Sequence, residues 1–114
     1  MGKKLKITVL KKELYKEFVD TYVTDKSVTA CEMFEVGQVF LMDSVDKPEG
    51  FCSWAWADLH REFTAVYFGA SFPWISQKNT IISCCTDGVR PVVFKIECVG
   101  DKTELGPESI ERMR

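Results

Sequence analysis

The side chains in this chain best suited to chemistry are its five cysteines, Cys31, Cys52, Cys84, Cys85 and Cys98. A thiolate binds soft metals, attacks electrophiles and exchanges with disulfides, so position and spacing decide which of these roles is open. Structural zinc and iron–sulfur sites usually draw on paired ligands such as Cys-x-x-Cys, and no such pair occurs here. Cys31, Cys52 and Cys85 instead stand apart in sequence, each beside a turn or the end of an element, and three thiolates of that kind could form a site with one open position. The other candidate groups are fewer. His60 is the only histidine, and Asp58 and Glu62 are four residues apart on a helical pattern, where solvated charge is the ordinary reading. Aromatic residues cluster around the same helix, with Phe51, Trp54 and Trp56 at its start and Phe72, Pro73 and Trp74 after its end. They suit either the wall of a pocket for a flat ligand or the lid of a small core. Arg90, beside the Asp87-Gly88 turn, offers a cation to an anionic ligand. No nucleophile elbow, phosphate loop, dinucleotide fingerprint or His-Glu-x-x-His is present.

Positioning these groups falls to six elements. Leu5, Ile7 and Val9 alternate with lysine and threonine, which predicts a strand over 4–11 with one buried face. Leu14, Phe18 and Tyr22 recur at helical spacing with Tyr15 and Val19 beside them, predicting a short amphipathic helix over 13–23. A second strand is expected over 36–42. The main helix is expected over 53–68, with Ser53 as its N-cap, Trp56, Leu59, Phe63 and Val66 on its apolar stripe and Gly69 as its stop. Residues 80–85 and 92–99 read as strands joined through Asp87-Gly88 and Pro91, a hairpin. The order β-α-β-α-β-β with a terminal hairpin implies an α+β fold, a small and at least partly antiparallel sheet packed by one main helix. One domain over 1–99 and a polar tail over 100–114 are expected.

This frame sorts the cysteines. Cys98 shares a strand face with Val92, Phe94 and Ile96 and is assigned to the core. Cys84 and Cys85 are neighbours at a strand end and point to opposite faces, so both are not expected in one site. Cys52 precedes the main helix, where the helix dipole and free N–H groups favour a thiolate.

Composition bounds the function. With 46% hydrophobic and 28% charged residues the chain belongs with globular proteins. A net charge of −2 gives no general field for a polyanion, so nucleic acid is not an expected partner. The lysine-rich start lacks the apolar run of a signal peptide and no stretch is long enough to span a membrane, so a cytoplasmic protein with reduced thiols is expected.

Cys31 followed by Val36-Gly37-Gln38-Val39-Phe40, then Pro48-Glu49-Gly50-Phe51-Cys52, Phe72-Pro73-Trp74, Cys85-Thr86-Asp87 and Pro91-Val92-Val93-Phe94 resembles a family of small uncharacterised proteins found mainly in anaerobic bacteria and archaea. The likeness spans about residues 4–98. It implies a site at Cys31, Cys52 and Cys85 and sets Cys84 and Cys98 aside. Glu32 and Ser53 stand where that family often has proline, and Ala57 where it has histidine. The resemblance brings no activity with it. Two readings therefore stand. In one, Cys31, Cys52 and Cys85 hold an iron–sulfur cluster or another thiophilic metal in anaerobic redox or sulfur metabolism, with a redox protein as a partner. In the other, a metal-free accessory module binds a small ligand or a protein through Trp54, Trp56, Phe72, Trp74, Asp87 and Arg90, and the cysteines only pack.

Overall fold

The computed structural model describes residues 3–101, with side chains over 4–99. Strand β1 (Lys3–Lys12) is followed by helix α1 (Lys16–Tyr22), strand β2 (Val39–Met42), helix α2 (Ser53–Tyr67), and strands β3 (Thr80–Cys84) and β4 (Val92–Asp101). The four strands form one sheet in the order β2-β1-β4-β3, and every neighbouring pair is antiparallel. The fold is α+β, with α2 packed on one face of the sheet. No helix among the described residues is long and apolar enough to cross a membrane.

The period-2 pattern of β1 does what its residue types dictate: Leu5, Ile7 and Val9 are buried, while Lys6 and Thr8 point to the other face. Opposite them β4 places Cys98, Ile96 and Phe94 in register with Leu5, Ile7 and Val9. Onto this apolar face α2 lays Ala55, Leu59, Phe63 and Val66, a stripe at spacings of four, four and three residues. Phe51, just before the helix, touches the rings of Phe34, Phe40, Trp56, Phe63 and Phe94 at centroid separations of 5.0–5.9 Å and joins helix, loop and sheet. Cys98 is half-buried and packs against this core.

Several expectations are corrected. Helix α1 starts at Lys16, not 13, because the backbone after β1 is still engaged with the hairpin: Glu13 N–H donates to Pro91 O and Tyr15 N–H to Val89 O, both at 2.9 Å. Of its proposed stripe only Val19 is buried, and Phe18 and Tyr22 are exposed. Strand β2 starts at Val39 because residues 35–38 form a turn, with Gln38 N–H bonded to Glu35 O and Gly37 at φ +90° in the position that needs a positive φ. In α2 the N-cap is Cys52, not Ser53. The Ser53 hydroxyl accepts a 2.9 Å bond from Lys47 and caps nothing. Strand β3 releases Cys85, and β4 runs on to Asp101. The reading of the chain beyond Asp101 as a polar tail lies outside the described residues.

Helix α2 ends in a Schellman motif, with Gly69 N–H bonded to Val66 O and Ala70 N–H to Ala65 O, both at 3.0 Å, and Gly69 at φ +95°. No atom would obstruct a side chain there, so only the backbone conformation resists substitution. Gly69→Ala is expected to lower stability by about 1 kcal/mol. Phe63→Ala, which empties a fully buried site, is expected to cost about 3–5 kcal/mol. Urea titration of both variants checks the contrast, and equal losses would contradict it.

Candidate functional site

Because β1 and β4 run antiparallel, the end of β1 meets the start of β4, with Lys12 opposite Val92. At this end of the sheet a cavity of about 640 Å³ opens, within the size range of small-molecule sites. Three segments line it. Cys31, Glu32, Met33 and Phe34 come from the long connection before β2. Cys52, Trp54 and Ala55 come from the start of α2. The β3–β4 hairpin contributes Cys85, Thr86, Asp87, Gly88, Arg90 and Val92. Phe34, Ala55, Cys85 and Val92 are buried and belong to the core as well.

Each segment is held by its own device. Lys12, at the last position of β1, donates from Nζ to the carbonyls of Cys31 (3.0 Å) and Phe34 (2.9 Å), tying the loop between them to the sheet. Cys52 is the N-cap of α2: its carbonyl accepts the Trp56 N–H at 2.9 Å, and no side chain caps the helix. Cys85 closes the hairpin, giving its N–H to Val92 O (3.1 Å) and receiving the Val92 N–H on Sγ (3.4 Å). Beyond it, Thr86 is clasped to α2. Its N–H donates to Asp58 Oδ2 at 2.7 Å, its hydroxyl donates to the Asp58 carboxylate at 2.9 Å, and that hydroxyl accepts from Trp54 Nε1 at 3.0 Å.

At the tip, Asp87 Oδ1 accepts the N–H groups of Val89 and Arg90, each at 3.0 Å, and Oδ2 accepts from Arg90 Nε at 3.2 Å. Partial burial works against the charged carboxylate. The two backbone donors and the Arg90 guanidinium outweigh it and hold the Asp87 carboxyl below the ordinary aspartate range.

The structure thus brings Cys31, Cys52, Cys85, Trp54, Asp87 and Arg90 to one cavity. It separates the rest. Trp56 stacks on Phe63 at 4.4 Å within the core. Phe72 packs against the core away from the cavity, with Trp74 beside it at 5.2 Å and largely in solvent. Cys84, the last residue of β3, is exposed, whereas Cys85, just past the strand end, is buried. His60 is exposed and lies against Trp56 at 5.4 Å.

The solvated-charge reading of Asp58 and Glu62 is overturned, since Asp58 carries the clasp and Glu62 is buried and bonded to Arg61 at 2.7 Å. Thr86, Lys12, Glu32 and Met33 are additions that local sequence did not single out. The one available signal was that Trp54 and Asp58 lie one helical turn apart and can grip a common partner. Although three thiols reach the cavity, among the described residues no group of three or more His, Cys, Asp or Glu side chains is placed to hold a metal ion. No protein-family model, curated protein or solved structure matches the chain.

Two outcomes follow from this geometry. A group whose folded pKa is depressed stabilises the fold above the ordinary carboxylate range, and that contribution is lost as pH falls through the folded value, below about pH 4 for an aspartate. Asp87 should therefore titrate below the ordinary aspartate value in a carboxyl NMR experiment, and Arg90→Gln should move its midpoint upward. Alkylation by a small neutral maleimide should reach exposed Cys84 first and Cys85 last, and Lys12→Met should speed Cys31 selectively by freeing its loop. Mass mapping of the modified peptides reads the order, and an unchanged Cys31 rate would remove the staple role of Lys12.

Proposed function

We propose that this protein is a small-molecule-binding module whose ligand site is the thiol-lined cavity at the β1–β4 end of the sheet. The observation that carries this reading is convergence: side chains from three segments distant in sequence, Cys31, Cys52, Trp54, Cys85, Asp87 and Arg90 among them, line one cavity of ligand size, and each segment is held by its own hydrogen bonds. The floor is apolar. The polar groups at its edge are few and fixed, as the Asp87–Arg90 pair is by its backbone donors. Such a surface suits a compact, mostly apolar ligand with one polar substituent, and the three thiols give it soft, polarizable contacts. The motif resemblance points to the same three cysteines.

A cysteine-held metal or iron–sulfur cluster does not fit the side chains as they stand, because the three thiols share a cavity without forming a ligand set.

The test is a panel of small aromatic and aliphatic acids and alcohols followed by amide chemical shifts. Responses should centre on Cys31, Cys52, Trp54 and the 85–90 hairpin, and Cys85→Phe, which fills the floor, should weaken them at least tenfold. Responses confined to the open face of the sheet would sink the reading. A coloured, metal-loaded protein from oxygen-free preparation that loses its metal in Cys52→Ser would replace it with the metal reading.

A further inference from the structure

Resting on the reading of the cavity as a ligand site, we infer that its ligand is planar and conjugated, stacks on the Trp54 ring, and owes its selection to Thr86 acting as a positioning residue for that ring. Trp54 is 64% exposed, which alone would mean little for a surface aromatic. Two further observations set it apart. Its indole N–H is bonded at 3.0 Å to Thr86, 32 residues away, and Thr86 is itself fixed by bonds to Asp58 from both its N–H and its hydroxyl. Trp54 and Asp58 stand one turn apart on α2, so the helix grips the threonine at two points and the ring is anchored by its edge.

Its faces are not used in the same way as those of the other two tryptophans. Trp56 packs on Phe51, His60 and Phe63, and Trp74 on Phe72, whereas among the described residues no aromatic ring lies against Trp54. An exposed aromatic wall that lines a cavity, is held through its polar edge and has no other aromatic ring against it is what stacking of a flat ligand needs, because the ordering cost is met before binding. Arg90 adds a handle for an acidic substituent. Its pairing with Asp87 engages Nε, and the terminal Nη groups are the donors that remain for a ligand.

The experiment compares 2-naphthoate with the saturated trans-decalin-2-carboxylate, acids of similar size and equal charge that differ in planarity, by calorimetric titration of the full chain with amide shifts to locate them. The wild type should bind the naphthoate about two- to tenfold more tightly, the range that one aromatic stacking contact supplies. Trp54→Leu should bring the ratio close to one. Thr86→Val keeps the backbone bond to Asp58 but loses the indole anchor, so it should lower naphthoate affinity more than that of the decalin acid and so reduce the preference, and Thr86→Ser should restore it. A purely structural role for Thr86 would weaken both acids alike. Equal or better binding of the decalin acid by the wild type overturns the inference and leaves the cavity reading standing. A preference that survives Trp54→Leu also overturns it. If neither acid perturbs the cavity at millimolar concentration, the cavity reading fails and this inference fails with it.

Discussion

The antiparallel pairing of β1 with β4 is the constraint on which the remaining structure depends. These strands lie at opposite ends of the described chain, yet they form the centre of the sheet, so the whole connection between them must fold back around one strand pair. Such a pairing spends loop-closure entropy that only burial of Leu5, Ile7, Val9, Phe94 and Ile96 under α2 can offset. Its register has a second consequence. Setting Lys12 opposite Val92 ends the regular sheet where the hairpin, the N-terminus of α2 and the 31–34 loop all arrive, and that meeting leaves the cavity.

Core and site are therefore one continuous piece of packing. Phe34 is buried against Phe51 and Phe94 on one side and lines the cavity on the other, and Cys85 and Val92 share that double position. The rim is built differently. Lys12 on the 31–34 loop, Asp58 on Thr86, and the backbone donors on Asp87 fix it through directed bonds, where little apolar area is available to do so. Hydrogen bonds to charged groups are the stronger class, and they hold loops of a 114-residue chain at little cost in buried surface. Cys52 gains from the same economy: as N-cap of α2 it is set by the helix it begins.

Much of the fold was legible because its signals are local. Alternation named β1, the 59–63–66 stripe named α2, and Asp87-Gly88 with Pro91 named the hairpin. The errors lie where tertiary bonds override local pattern. Leu14 and Tyr15 look helical, but the hydrogen bonds of Glu13 and Tyr15 to the hairpin carry the chain past them before α1 begins. Ser53 has the side chain of a cap, but Lys47 occupies its hydroxyl.

By itself the sequence determined which residues alternate, which recur at helical spacing, that the two thiols of the Cys84-Cys85 pair point apart and that no paired-cysteine motif is present, because these depend on covalent neighbours and the fixed periods of strand and helix. Only the tertiary structure decided that Cys31, Cys52, Cys85, Trp54, Asp87 and Arg90 face one cavity while Trp56, Phe72 and Trp74 do not. It also decided that Asp58 is the anchor of Thr86. The reason is physical: a side chain's partners across 20 to 60 residues follow from strand register and crossover path, which no local spacing encodes.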